Sequence, residues 1–120
     1  MTDVAAALRD AEEIDLVTRG RRTGKDHDVR LWSAYEDGVL WLRSDSDSDW
    51  YRNLLADPHC RVRVAGLEIA GVREDAPGGA DTLRRLVELW RTKYGREWVG
   101  DWYVERGRIP VLVRVMLPRE

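Results

Sequence analysis

Two tight-turn signals constrain the fold of this chain more than any other feature. Asp37-Gly38 and Ala65-Gly66 each separate two short segments that favour strands. The flanking segments are residues 29–35, 39–42, 61–64 and 67–72. Within the first of them, apolar and polar side chains alternate, which is the period of a strand. Because glycine accepts the positive φ that two-residue hairpin turns require, the sequence predicts two antiparallel hairpins.

Two further strands and three helices complete the predicted order. Residues 14–18 and 109–115 are the strands. A short helix begins at Thr2-Asp3, a second follows the acidic loop 44–49, and a third carries an apolar stripe within residues 83–94. Short antiparallel strands in hairpins with helices between them predict an α+β barrel of about six strands, not a doubly wound sheet. We expect one domain over residues 1–120.

Charge and hydropathy exclude several classes of protein. Twenty basic and twenty-two acidic side chains give a net charge of −2, which argues against a general nucleic-acid binder. No segment approaches the ~20 apolar residues of a membrane span, and residues 1–10 lack the pattern of a signal peptide. We therefore expect a cytoplasmic protein with no nucleic-acid partner and no membrane span.

Few residues are candidates for metal binding or nucleophilic catalysis. With only two histidines, His27 and His59, a three-histidine metal site is impossible, and we predict no metal. The single cysteine, Cys60, lies at the start of a predicted strand. A cysteine in that position is more often a small buried apolar residue than a nucleophile. No hydrolytic motif is present.

The aromatic residues allow two interpretations. The chain has six tryptophans, four tyrosines and no phenylalanine. Tryptophan combines a large contact area with one N–H that needs a partner, so several rings could line a cleft or its rim. The alternative is that they fill a small core, and composition alone favours this alternative.

A basic turn is the best candidate for ligand binding. Residues 19–25 contain four cationic side chains, two glycines and one threonine. Glycine lets main-chain N–H groups approach a ligand, and the arginine fork matches phosphate oxygens. The segment is therefore either an anion site or a solvated basic hairpin. The acidic loop 44–49 is a poorer candidate, since its own aspartates would repel a phosphate.

Three motifs occur in the order expected of a known family. They are Gly-Arg-Arg-Thr-Gly-Lys at 20–25 with Leu31 six residues later, Trp-Tyr-Arg-Asn-Leu-Leu-Ala-Asp-Pro at 50–58, and Arg-Gly-Arg-Ile-Pro-Val at 106–111. Together they resemble the deazaflavin-dependent nitroreductase family over about residues 14–116. The resemblance implies a split β-barrel related to the pyridoxamine-phosphate oxidases. It also implies that the cofactor is coenzyme F-420 (F420 below), with FMN as the alternative.

The resemblance also implies roles for individual residues. The phosphate end of the cofactor would be held by Arg21, Arg22, Thr23 and Gly24. Lys25 and His27 of the same segment would also bind the cofactor. Trp50 and Asn53 would face the cofactor from the helix. Ser44 would lie near the reactive ring, where it or a tyrosine hydroxyl could donate a proton, and Tyr94 and Tyr103 fall where the family has substrate-facing tyrosines. The catalytic residues expected on this basis are Ser44 and Tyr103.

The activity implied is hydride transfer from the reduced deazaflavin to a small organic electrophile: a quinone, a nitro compound or an activated alkene. The sequence departs from the family pattern at Asp26, Arg30 and His27, and at Asp45, where the family commonly has a basic residue. Two alternatives stay open: an FMN-binding oxidoreductase on the same barrel, and a barrel that binds another small ligand without a redox cofactor. Barrels of this class often pair through their sheets, so a homodimer is also open.

Overall fold

A computed structural model gives the structure of the protein and describes residues 3–45, 47–75, 79–95 and 108–116. The helices are α1 (Val4–Asp10), α2 (Asp49–Ala56) and α3 (Gly79–Tyr94). The strands are β1 (Glu13–Arg19), β2 (Asp26–Trp32), β3 (Ala34–Glu36), β4 (Val39–Asp45), β5 (His59–Val64), β6 (Leu67–Glu74) and β7 (Arg108–Val115). None of the described helices is long and apolar enough to cross a membrane.

Both predicted hairpins are present. β3 pairs with β4 and β5 pairs with β6, in each case antiparallel. At the first turn Asp37 and Gly38 have φ values of 52° and 82°, and at the second Ala65 and Gly66 have 50° and 77°. Two consecutive positive φ angles match the twist of the flanking strands, which is why these dipeptides fix the hairpins locally.

All seven strands form one antiparallel sheet in the order β2-β1-β5-β6-β7-β4-β3. β2 and β3 are therefore its two edges, although only Ser33 separates them in sequence. Because consecutive Cα atoms are about 3.8 Å apart, the neighbouring ends of the two edge strands are held together. The sheet consequently curls into a half-barrel, and the predicted α+β split barrel is confirmed.

The described residues form seven strands where the sequence predicts about six, because the predicted strand at 29–35 is interrupted at Ser33. The main-chain N–H of Ser33 donates to the Tyr94 hydroxyl (3.0 Å), and its carbonyl accepts from Lys93 Nζ (2.6 Å). The end of α3 thus takes the hydrogen bonds that a neighbouring strand would otherwise make. β2 ends on one side of this residue and β3 begins on the other.

The main core lies on the inner face of the sheet. α1 contributes Leu8 and α2 contributes Leu54, and neither side chain is exposed. They pack on buried residues of the strands, the largest of which are Ile14, Leu16, Leu40, Leu42, Val62 and Val113. These two short helices cover the inner face because the strands direct alternate apolar side chains towards it.

α3 packs on the opposite face of the sheet. Its buried residues Leu86, Val87 and Trp90 contact Ala34 of β3, so the predicted apolar stripe is core packing. Trp90 Nε1 donates to the main-chain oxygen of Trp41 (3.1 Å), which satisfies the indole N–H inside this second core. The described tryptophans on this face fill a core rather than line a cleft.

Candidate cofactor site

The basic turn between β1 and β2 has a defined shape. Gly20 N–H donates to the carbonyl of Lys25 (2.7 Å), and Gly24 N–H donates to the carbonyl of Gly20 (2.8 Å). Gly24 has a φ of 72°, a conformation that side chains strongly disfavour. A Cβ on Gly20 would lie 2.7 Å from Nε2 of His27, so the imidazole packs directly over this glycine. The glycines therefore close the turn and bring His27 against it.

A chain of hydrogen bonds joins this turn to α2. Arg21 donates twice to Oδ1 of Asn53, from Nη1 (2.8 Å) and from its main-chain N–H (3.3 Å). Its Nη2 also makes an ion pair with Oδ1 of Asp49 (3.1 Å). Asn53 in turn donates from Nδ2 to the hydroxyl of Thr18 in β1 (3.1 Å). The turn, the helix and the first strand are thereby fixed relative to one another.

Between the turn and α2 lies a pocket of about 200 Å³. Its lining residues are Gly20, Arg21, Arg22, Thr23, His27, Asp49 and Asn53. Five of the residues that the family resemblance implies for the cofactor therefore meet at one site. Gly24 and Lys25 belong to the same turn, but they do not line the pocket. Such a set of guanidinium, hydroxyl and imidazole donors suits a phosphate group.

Trp50 lies on α2, partly buried, and packs against the inner core. It does not line the pocket at the basic turn. Its neighbour Asp49 does line the pocket, although the sequence shows it only as one of the charges of the acidic loop. Asp49 and Asn53 are four residues apart and so share one face of the helix, which is the sequence signal that could have identified it.

Ser44 is the penultimate residue of β4 and is buried. Its hydroxyl donates to the main-chain oxygen of Asp45 (2.8 Å) and shares a hydrogen bond with the hydroxyl of Ser48. Ser48 occupies the N-cap position of α2 but makes no side-chain capping bond, because its hydroxyl is used in this corner instead. Neither Ser44 nor Asp45 lines the pocket at the basic turn.

The two tyrosines expected near the substrate have different outcomes. Tyr103 lies outside the described residues. The hydroxyl of Tyr94 donates to the carbonyl of Glu12 (2.5 Å) and accepts from the N–H of Ser33. Its ring stacks on Trp32, with the ring centroids 4.1 Å apart. Tyr94 thus serves to hold the break between β2 and β3 against the end of α3.

The part of the chain that the structure describes offers neither a reactive cysteine nor a metal site. Burial raises the pKa of the Cys60 thiol to about 12, so this cysteine is a buried apolar residue as predicted. A thiol with that pKa is almost fully protonated at neutral pH and is a poor nucleophile. Among the described residues, no group of three or more histidine, cysteine, aspartate or glutamate side chains could hold a metal ion.

Comparison with known proteins identifies the family of the chain. The family model of the F420H2-dependent quinone reductases matches residues 2–116, almost the whole chain. The chain belongs to this family. The protein is therefore a deazaflavin-dependent oxidoreductase, and its cofactor is coenzyme F420 rather than the alternative FMN. No match is found among curated protein sequences.

Solved structures show the same fold. One F420 reductase has a TM-score of 0.72 at 19% identity, with 98% of this chain and 97% of that chain covered. An F420-H2 dependent reductase has a TM-score of 0.66 at 20% identity, covering 91% and 97% of the two chains. A conserved hypothetical protein from Mycobacterium tuberculosis has a TM-score of 0.73 at 24% identity, covering 99% and 82%. At these identities the likeness concerns the fold alone.

Proposed function

We propose that the protein holds the phosphate end of reduced coenzyme F420 in the pocket between the basic turn and α2, and reduces a quinone. The observation that carries the proposal is that Arg21 and Arg22 line one pocket together with Thr23 and His27. Guanidinium groups bind phosphate oxygens through paired, charge-assisted hydrogen bonds. The quinone is taken from the description of the family. Nitro compounds and activated alkenes are electrophiles of the same kind.

Arg22 is the residue that we assign to the main phosphate contact. Its side chain is exposed and has no hydrogen-bond or ion-pair partner within residues 3–45, 47–75, 79–95 and 108–116. Arg21 can add to this contact, since a guanidinium has five N–H donors and its contacts in the structure use only Nη1 and Nη2. Lys25, exposed on the same turn, adds positive charge without lining the pocket.

Asn53 acts on the cofactor through Arg21. Its amide oxygen holds the Arg21 side chain and main chain, and its amide nitrogen is bonded to Thr18. We therefore regard Asn53 as a positioning residue. Trp50, which packs beside it on α2, supports the helix from the core side.

Ser44 remains our candidate for the proton that accompanies hydride transfer. Reduced F420 supplies the hydride when it is bound. The contribution of the chain is to hold the ring, exclude water and provide a proton at Ser44 Oγ. The hydrogen bond shared by the hydroxyls of Ser44 and the half-buried Ser48 gives the buried Ser44 hydroxyl a connection towards solvent. Tyr103 is the second predicted donor.

The test is a turnover assay with reduced F420 and a soluble naphthoquinone, followed through the absorbance of the oxidised cofactor. We expect quinone-dependent oxidation above the rate without protein. Arg22→Ala should weaken cofactor binding by about 1.5–3 kcal/mol, or roughly 10- to 150-fold, if it makes a charge-assisted bond to phosphate. Arg84→Ala, which changes an exposed arginine on α3, is the control and should behave as wild type. Equal cofactor affinity in Arg22→Ala and wild type would contradict the proposed site.

A further inference from the structure

The pocket at the basic turn carries an unequal balance of charge. The charged residues that line it are two arginines, Arg21 and Arg22, and one aspartate, Asp49. These three groups sum to a charge of +1. The Asp49 side chain is 84% exposed and its Arg21 partner only 21%, so the carboxylate lies at the mouth of the pocket. A bound anion therefore meets a site with one positive charge to neutralise.

Arg21 does not need Asp49 to keep its position. Asn53 is only 2% exposed, and its oxygen accepts from both Nη1 and the main-chain N–H of Arg21. Asn53 is itself fixed by the hydroxyl of Thr18, which is also buried. The buried amide thus anchors the guanidinium. The exposed carboxylate adds a second, solvent-screened contact, and what it chiefly changes is the charge of the pocket.

We propose that Asp49 is a specificity-determining residue that favours a phosphodiester monoanion over a phosphomonoester dianion. The proposal rests on the proposed function, because it concerns the phosphate of the cofactor bound at this turn. The phosphate of F420 joins two carbon chains and carries one charge. The phosphate of FMN is a monoester, whose second ionisation lies near pH 6, so it carries about two charges at neutral pH. A pocket with a charge of +1 balances the phosphodiester monoanion, but it leaves one negative charge of the phosphomonoester dianion uncompensated.

The size of the effect follows from the distance between the two anions. We assume a separation of about 6 Å between the bound anion and the carboxylate, which is further apart than the two partners of the Arg21–Asp49 ion pair. In water two unit charges at that distance change a binding constant by about threefold. Removing the Asp49 charge should therefore raise the binding constant of a monoanion about threefold and that of a dianion about tenfold. The preference for the diester should fall by about threefold.

The experiment measures the binding of F420, FMN and riboflavin to wild type and Asp49→Asn by fluorescence titration at low salt. We expect Asp49→Asn to bind FMN about tenfold tighter and F420 about threefold tighter. Riboflavin, which lacks a phosphate, should be unchanged. Asp47→Asn makes the same charge change in the same loop at an exposed residue that does not line the pocket, and it should leave all three affinities near those of wild type.

The outcomes separate this inference from the proposed function. Failure of wild type to bind F420 refutes the proposed function, and the inference falls with it. F420 binding in wild type with no gain for FMN in Asp49→Asn, including no measurable FMN binding to either protein, overturns the role of Asp49 alone. An equal gain for FMN and F420 also overturns it. At about 1 M salt, where charges are screened beyond about 3 Å, the gain should disappear; a gain that persists would show that charge is not the cause.

Discussion

Asn53 gives the sharpest test of how the candidate site is built, because its amide joins three elements. It lies on α2, accepts two hydrogen bonds from Arg21 in the basic turn, and donates one to Thr18 in β1. Both Asn53 and Thr18 are almost fully buried, so water cannot replace the lost partners easily. Asn53→Ala should therefore lower the stability of the fold and release the turn at the same time.

The magnitude can be estimated from the individual bonds. The 2.8 Å bond from the Arg21 guanidinium involves a charged group, and removing such a bond costs about 1.5–3 kcal/mol. The bond to Thr18 adds about 0.5–1.5 kcal/mol, and the long bond from the Arg21 main chain adds little. We expect Asn53→Ala to lower the free energy of unfolding by about 2–4 kcal/mol. For a chain of this length the melting temperature would fall by roughly 10 °C.

The assay is chemical denaturation in urea, which measures the free energy of unfolding. Two matched variants serve as controls. Asn53→Asp keeps an oxygen for Arg21, and the Thr18 hydroxyl can turn to donate, so it should lose under about 1 kcal/mol. Asp49→Ala removes only the exposed ion pair to Arg21 and should also lose under about 1 kcal/mol. The reasoning is refuted if Asn53→Ala is no more destabilising than Asp49→Ala, since the buried amide would then not anchor the turn.

Two further predictions concern the cores. Tyr94→Phe should destabilise the fold by about 1–3 kcal/mol in thermal melts, because the N–H of Ser33 loses its partner. The control is Tyr35→Phe, which should have little effect because the Tyr35 hydroxyl has no partner in the described ranges. Equal melting temperatures of the two variants would contradict the role of Tyr94 at Ser33. Burial raises the pKa of Cys60 to about 12, so the unfolded thiol loses its proton first and stability should fall as pH rises from about 9 towards 12. Cys60→Ala should show a shallower fall, and an unchanged slope would exclude Cys60 as the cause.

Much of the fold was predictable because its signals are local. The Asp37-Gly38 and Ala65-Gly66 turns fix two hairpins through their own backbone preferences. The break at Ser33 was not predictable in the same way. It depends on Tyr94 and Lys93, which are about sixty residues away in sequence and meet Ser33 only after α3 has packed on the sheet. Long-range contacts of this kind leave no periodic pattern at the strand that they interrupt.

The candidate site was predictable in part for the same reason. The glycines and cations of residues 20–25 make an anion site one of two interpretations, and the family resemblance adds Asn53 as a residue that faces the cofactor from the helix. The pairing of Arg21 with Asp49 was missed, because loop charge alone does not show which carboxylate reaches the turn. Asp45 is the residue of this loop that departs from the family pattern, whereas Asp49 is the one that lines the pocket in the structure. The roles of Ser44 and Tyr103 stay predictions.

We propose above that the pocket between the basic turn and α2 holds the phosphate end of coenzyme F420. The most direct measurement is a fluorescence titration of wild type and Arg22→Ala with oxidised F420, with FMN titrated in parallel. We expect micromolar or tighter binding of F420 to wild type, weaker binding of FMN, and a loss of F420 affinity of at least tenfold in Arg22→Ala. Binding of FMN in preference to F420, or the same F420 affinity in both proteins, would contradict it.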